Sequence, residues 1–211
     1  TSPWSGFGSI VALTSRIVEA GWKLLQLAYT DMNSGEGWKR NWTFDSYLLS
    51  GLGGVSINNN GHVTSIDLSN NNLSGEFPYT LMQLPELEVL NLSHNNLTGN
   101  ITDIAEQLKT GSQISPITTL NISDNKVSGN IGLLANCFDN LKSLNASGNC
   151  LEDVNPMISP NVTSLNLSSQ TIDRVVDFHL GTASSDDYIL ETVPRILLYN
   201  HAHQTFTPNI Y

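Results

Sequence analysis

VTSIDLSNNNL, residues 63–73, decides the fold, because the chain writes it five times. The other copies are LEVLNLSHNNL at 87–97, ITTLNISDNKV at 117–127, LKSLNASGNCL at 141–151 and VTSLNLSSQTI at 162–172. Four fit L-x-x-L-x-L-x-x-N-x-L with apolar substitutions, and the fifth fits except that Gln170 stands at the Asn position. Their starts are separated by 24, 30, 24 and 21 residues, so one unit carries an insertion and the last is shortened. Self-similarity at such a period marks a solenoid, in which no coil buries its apolar face alone and stacked coils share one core.

Each fixed letter has a physical reason. The x-L-x-L-x stretch alternates with period 2, as a strand with one apolar face does, and turns Ile66 and Leu68, Leu90 and Leu92, and Leu120 and Ile122 inward. Asn71, Asn95, Asn125 and Asn149 follow where the chain leaves the strand. Their amides are suited to backbone groups left unpaired in that turn, so stacked coils predict an Asn ladder. Leu73, Leu97, Val127 and Leu151 then re-enter the core. Ser74-Gly75, Thr98-Gly99 and Ser128-Gly129 supply a further bend, and Phe77, Ile101 and Ile131 fill the back of the coil.

This pattern resembles the leucine-rich repeat family, and IDLSNNNLSGEFP (66–78) is close to its plant-type consensus L-x-x-L-x-L-x-x-N-x-L-S-G-x-I-P. The resemblance implies an α/β fold: a right-handed solenoid whose short parallel sheet of about five coils lines a concave face. At about 4.8 Å between strands that sheet is only about 20 Å across.

The flanks read as caps, which solenoid ends need to cover core and strand edges. Residues 1–61 form an N-terminal helical cap and hairpin, 62–172 the repeats, and 173–211 a mixed C-terminal cap or the start of a following segment. Ile10, Leu13, Ile17, Leu24 and Ala28 predict one buried stripe of a helix over 9–32, flanked by Leu25 and Leu27. The stretch LLQLAYTDMNSGEGWKRNWTF (24–44) resembles the family's amino-terminal cap, with Trp38 and Trp42 as packed aromatics. GVSINNNGHVTSI predicts a hairpin turning at Asn59, Asn60 and Gly61. In the C-terminal part Ser185 is placed to cap a short helix ending at Pro194, and RILLYNHAHQTFTP reads as strand, turn and strand. Extracellular plant members usually carry paired cysteines in their caps. These caps have none, which favours a bacterial relative, secreted or at the cell surface.

Composition excludes several functions. With 9 Lys+Arg against 19 Asp+Glu the formal net charge is -10, so no field attracts nucleic acid. The apolar stretch 9–29 is broken by Arg16, Glu19 and Lys23 and is not a transmembrane segment. The chain begins Thr1-Ser2-Pro3, which reads as a processed product or an excised piece and leaves export undecided. Only 13% of residues are charged, and about two dozen asparagines supply the polarity instead.

A ligand on the concave face would meet the outward strand positions: Ser65, Asp67 and Ser69; Val89, Asn91 and Ser93; Thr119, Asn121 and Ser123; Ser143, Asn145 and Ser147; Ser164, Asn166 and Ser168. Asp67, Val89, Asn91, Thr119, Asn121, Asn145 and Asn166 are the candidate binding residues. None is the Trp, Tyr or Arg that typically anchors a protein interface. The lattice reads either as lateral hydrogen bonding between identical rungs or as a donor and acceptor surface for a polar ligand such as a glycan. The partner expected of the scaffold as a whole is an unidentified protein or glycan. The insertion around Leu108–Gln113 reads as a surface loop, a tolerated length change or a place for specificity.

No nucleophile elbow, phosphate loop or H-E-x-x-H helix occurs, and Gly51-Leu52-Gly53-Gly54 reads as a loop. His201 and His203 lack a third ligand for a metal, and His94 holds a variable turn position. Cys137 and Cys150 read as two separate thiols. Asn-x-Ser triplets such as Asn72-Leu73-Ser74, Asn91-Leu92-Ser93 and Asn121-Ile122-Ser123 match the glycosylation pattern, but the repeat itself writes them. The expectation is a non-enzymatic binding scaffold with no cofactor and no metal. The rival is a structural spacer in a larger surface protein.

Overall fold

The computed structural model describes residues 16–45, 47–111, 113–153, 158–159, 161–171, 176–180, 196–200 and 205–207. Helix α1 (Glu19–Asp31) leads to β1 (Val55–Ile57), which pairs antiparallel with β2 (Val63–Asp67) as the expected hairpin. From β2 onward the strand of each repeat adds in parallel: β4 (Val89–Asn91), β6 (Thr119–Asn121), β8 (Ser143–Asn145) and β10 (Ser164–Asn166). The order β1-β2-β4-β6-β8-β10 makes six strands, five of them parallel, in which Ile66, Leu90, Leu120, Leu144 and Leu165 stand in register. All five are buried, as are Leu73, Leu97, Val127 and Leu151 after the turn. Each such side chain contributes roughly 1.5–3 kcal/mol of transfer free energy, and all of it depends on a neighbouring coil being present.

The Ser-Gly and Thr-Gly segments, expected as bends, instead form β3 (Ser74–Glu76), β5 (Asn96–Asn100) and β7 (Lys126–Asn130), and the fourth repeat adds β9 (Cys150–Asp153) beside them. They build a second parallel sheet in the order β3-β5-β7-β9. A bend repeated in every coil lines up its free amides and carbonyls with those of the next, and the ladder satisfies them.

Behind this second sheet, Tyr79–Gln83 forms a 3-10 turn in the first coil, and α2 (Ile101–Thr110) and α3 (Ile131–Ala135) follow in the next two. The second and third coils write Asn100 and Asn130 where the first has Glu76. Their oxygens cap the helices, accepting from Thr102 N in one and from Gly132 N and Leu133 N in the other. In α2, Asp103 in the first turn and Lys109 in the last suit the helix dipole. The insertion therefore begins as helix: α2 extends through Thr110, and Leu108, expected in a loop, is fully buried, while Gly111 and Gln113 follow outside the helix.

The N-terminal cap departs from its expected helix in extent and face. The helix begins at Glu19; Ile10 and Leu13 lie outside the described residues. Ile17 is buried but precedes the helix, and the buried stripe is Trp22, Leu25 and Ala28. Leu24 is only half-buried and Leu27 is 54% exposed, because Trp22 rather than Leu24 turns toward Phe44 and Tyr47. Trp38 and Trp42 pack edge to face at 5.5 Å, as expected of the cap aromatics. At the other end, β12 (Ile196–Asn200) and β13 (Thr205–Thr207) form the expected antiparallel pair, and β11 (Val176–Leu180) adds to β12 in parallel. The helix expected between Ser185 and Pro194, with His201 and His203, lies outside the described residues.

Candidate functional site

The polar atoms of the strand sheet divide into two groups. One is the expected ladder. Asn149 is 1% exposed; its Nδ2 donates to the carbonyls of Ile122, Ala146 and Ser147, and its Oδ1 accepts from Val127 N. Asn125 donates to Leu92, Ile122 and Ser123 and accepts from Leu97 N. Asn95 donates to Leu68, Leu92 and Ser93 and accepts from Asn71 N and Leu73 N. Asn71 ties the ladder to the cap, exchanging bonds with the amide and carbonyl of Arg40. Gln170 makes the same set as an Asn, donating to Ala146, Leu167 and Ser168 and accepting from Leu151 N.

The second group faces outward. Asn91, Asn121 and Asn145 each turn Oδ1 to the amide and hydroxyl of the Ser two residues on, and Asn166 turns its own to Ser168 N. Asp67 accepts likewise from Ser69 N. Ser93, Ser123 and Ser168, expected on the exposed face, are therefore buried at 3–4% exposure, and Ser147 is half-buried. The surface that remains is two columns wide: Ser65, Val89, Thr119, Ser143 and Ser164, then Asp67, Asn91, Asn121, Asn145 and Asn166. With their oxygens occupied, Asn121, Asn145 and Asn166 present amide N–H groups, so the lattice is chiefly a donor surface. Val89, 36% exposed, is its one aliphatic side chain among the described residues.

The uniform face has one distinct end, which single-repeat reasoning missed. The cap lays Arg40 and Lys39 beside the first rung, with Arg40 Nη2 3.4 Å from the Ser69 carbonyl and Lys39 Nζ 2.7 Å from Asn70 Oδ1. Partial burial acts to raise the Asp67 carboxyl. Hydrogen bonds from Ser69, the charge of Arg40 and a bond from Asn91 outweigh it and hold the group below the ordinary carboxylate range. Along the same edge His94 Nδ1 and Asp124 Oδ2 lie 3.1 Å apart, both well exposed. They occupy the position before the ladder Asn, where Asn70, Gly148 and Ser169 also take positive φ.

On the opposite side, Asp31, Glu76, Phe77, Tyr79, Asn100, Asp103, Ile104 and Gln107 line a cleft of about 250 Å³. Burial, and secondarily the charge of Glu76, raise the Asp31 carboxyl. A carboxyl raised by folding binds its proton more tightly in the folded state, so stability falls as pH rises through that range. Asp31→Asn is therefore expected to stabilise the fold at pH 7 by about 0.5 kcal/mol, after discounting for solvent screening, and to give no gain at pH 3. Urea unfolding of the two proteins at both pH values checks this.

Cys137 and Cys150 are both free thiols. Burial pushes the Cys137 thiol up, with Lys109 opposing. Its Sγ rests on the Ala105 and Leu133 carbonyls, the environment of an inert thiol rather than a nucleophile. Among the described residues no group of three or more His, Cys, Asp or Glu is placed to hold a metal ion. No helix among them is long and apolar enough to cross a membrane.

Residues 45–97 match the leucine-rich repeat family. A segment is 46% identical over 65 residues to Receptor-like protein kinase 7 of Arabidopsis thaliana; it covers 28% of this chain and 7% of that protein's length. Among solved structures, the BIR2 ectodomain of Arabidopsis thaliana superposes with a TM-score of 0.57 at 25% identity, over 74% of this chain and 83% of that one. The Arabidopsis receptor kinase HAESA, solved with the peptide hormone IDA and the co-receptor SERK1, superposes with a TM-score of 0.59 at 25% identity, over 86% of this chain and 30% of that one. These relatives are plant proteins, and they support a plant-type repeat without supporting the bacterial origin expected from the cysteine-free caps. Repeat geometry and similarity together make the fold that of a leucine-rich repeat domain similar to the ectodomains of plant receptor kinases.

Proposed function

We propose that the chain is a non-enzymatic binding scaffold, extracellular or at the cell surface, that takes a peptide or protein partner on its concave strand face. The observation that carries this reading is the donor surface itself. Asn121, Asn145 and Asn166 stand on a stacked, buried framework with oxygens fixed and N–H groups outward, which suits the carbonyl-rich backbone of a peptide. Asp67, Arg40 and Val89 give one end of the face a charge and an apolar contact with which to set direction. HAESA was solved with a peptide hormone and a co-receptor, which favours a peptide or protein over a glycan.

The spacer reading draws on the inward commitment of Ser93, Ser123 and Ser168, which narrows the usable face. Panning a displayed peptide library against the domain separates the two. Enriched peptides are expected to lose about ten-fold or more in affinity, roughly 1.4 kcal/mol, to a Thr119→Glu, Ser143→Glu variant with an unchanged unfolding midpoint. No enrichment, or equal binding by that variant, would favour the spacer.

A further inference from the structure

Nine Asn-x-Ser/Thr triplets start at Asn41, Asn72, Asn91, Asn96, Asn100, Asn121, Asn145, Asn161 and Asn166. The repeat writes most of them, so sequence alone gives no reason to favour one over another. The fold separates them by two conditions: room for a bulky glycan, and an amide nitrogen not already donating within the protein.

Asn41, Asn96, Asn100 and Asn161 meet both. All four are exposed. Where the side chain bonds at all, it is the oxygen that is used: Asn41 Oδ1 accepts from the Tyr29 hydroxyl, and Asn100 Oδ1 caps α2. An N-linked asparagine keeps that oxygen, so neither bond is lost on modification. Asn72 is exposed, but its Nδ2 donates to the Gly37 carbonyl at 2.9 Å. Asn91, Asn121, Asn145 and Asn166 are half-buried and stand on parallel strands, so their rungs are about 4.8 Å apart. Glycans on adjacent rungs cannot stand side by side at that spacing.

We infer that Asn41, Asn96, Asn100 and Asn161 are N-glycan attachment sites, and that the concave column of asparagines is left bare. In the reaction Nδ2 bonds to the anomeric carbon of a lipid-diphosphate-linked oligosaccharide. The carbon–oxygen bond to the diphosphate breaks, its electron pair leaves with the diphosphate, and the amide gives up one of its two protons. All four sites lie off the binding face: Asn41 in the cap, Asn96 and Asn100 on β5 of the second sheet, and Asn161 in the turn before β10. The modified chain therefore keeps the concave face open while its flanks are covered by sugar. The inference rests on the extracellular reading, since the oligosaccharide donor is met in the eukaryotic secretory route.

The test is site mapping on the full chain, secreted from insect cells behind a heterologous leader and treated with a glycan-releasing amidase in heavy-oxygen water. Each glycan-bearing Asn then becomes a labelled Asp. Label is expected at Asn41, Asn96, Asn100 and Asn161 and absent from Asn91, Asn121, Asn145 and Asn166. Label on the concave column, or none at the four flank sites, overturns the assignment. Mapping the protein from its natural source separates the other failure: flank sites labelled after forced secretion but bare in the native protein uphold the assignment and overturn the extracellular reading.

Discussion

Asn149→Ala lowers the free energy of unfolding by about 3–5 kcal/mol, whereas Asn145→Ala, four residues away in the same coil, costs only about 1 kcal/mol. Both remove an amide of the same kind. The first leaves the amide of Val127 without its partner at a site that is 1% exposed, where water does not take its place, and removes one of two donors from the carbonyls of Ile122, Ala146 and Ser147, which keep Asn125 Nδ2, Gln170 Nε2 and Asp124 N. The orphaned amide costs roughly 1–3 kcal/mol and each of the three lost carbonyl bonds about 0.5–1 kcal/mol, less whatever the coil recovers by relaxing. Asn145 instead sits half-buried at the surface, and its Oδ1 serves only the Ser147 amide and hydroxyl, both able to turn to solvent. Urea unfolding with unchanged m-values measures the difference. Equal losses for the two variants would show that the ladder is not what joins the coils.

Gly54→Ala is expected to cost about 3 kcal/mol and Gly53→Ala less than about 0.5 kcal/mol. Gly54 has φ +87°, and a Cβ added there would collide with the Asp67 carbonyl oxygen. That oxygen cannot retreat, because Asp67 lies in β2 between β1 and β4 and its own amide donates to the Gly54 carbonyl at 2.8 Å. The left-handed conformation costs an Ala roughly 1–2 kcal/mol, and displacing the hairpin from the first repeat adds the rest. Gly53 has nothing within 4 Å of the added carbon. Thermal unfolding ranks the pair, and hydrogen exchange at β1 localises the damage. A Gly54→Ala protein as stable as Gly53→Ala would mean that the cap hairpin is not seated on the repeats.

The glycines also show how unevenly the fold was legible. Gly51-Leu52-Gly53-Gly54 reads as a loop, and it is one, but the collision that singles out Gly54 arises with a residue thirteen positions later. The strand Leu and Ile residues and the ladder Asn were legible because each acts through a local period: two along the strand, then three more to the turn. The second sheet was missed for the opposite reason. Ser74-Gly75 looks like a bend within one coil, and only the Asn96–Thr98 segment laid alongside makes it a strand. The distinct end of the strand face was missed in the same way, because Arg40 reaches Ser69 from the cap across 29 positions. Leu108 illustrates a different limit. An insertion is a departure from the period, and periodicity says nothing about what the extra residues do; Leu108 entered the core because α2 turned an apolar side toward it.

The sequence by itself determined the coil: a strand facing inward with Leu and Ile, an amide at the turn, and an Asn-rich composition that follows from writing this unit five times. It also determined that the chain has too little positive charge for a polyanion. Only the tertiary structure decided which of the polar atoms are spent and which remain. Ser93 and Asn121 look equally available in a line of text, yet one is buried beneath an Asn oxygen and the other offers its amide to solvent. Whether an amide donates inward, outward or to a neighbour is settled by groups that stacking brings from 20 to 30 residues away. Burial and hydrogen bonding depend on that arrangement in space, and no local pattern of residues contains it.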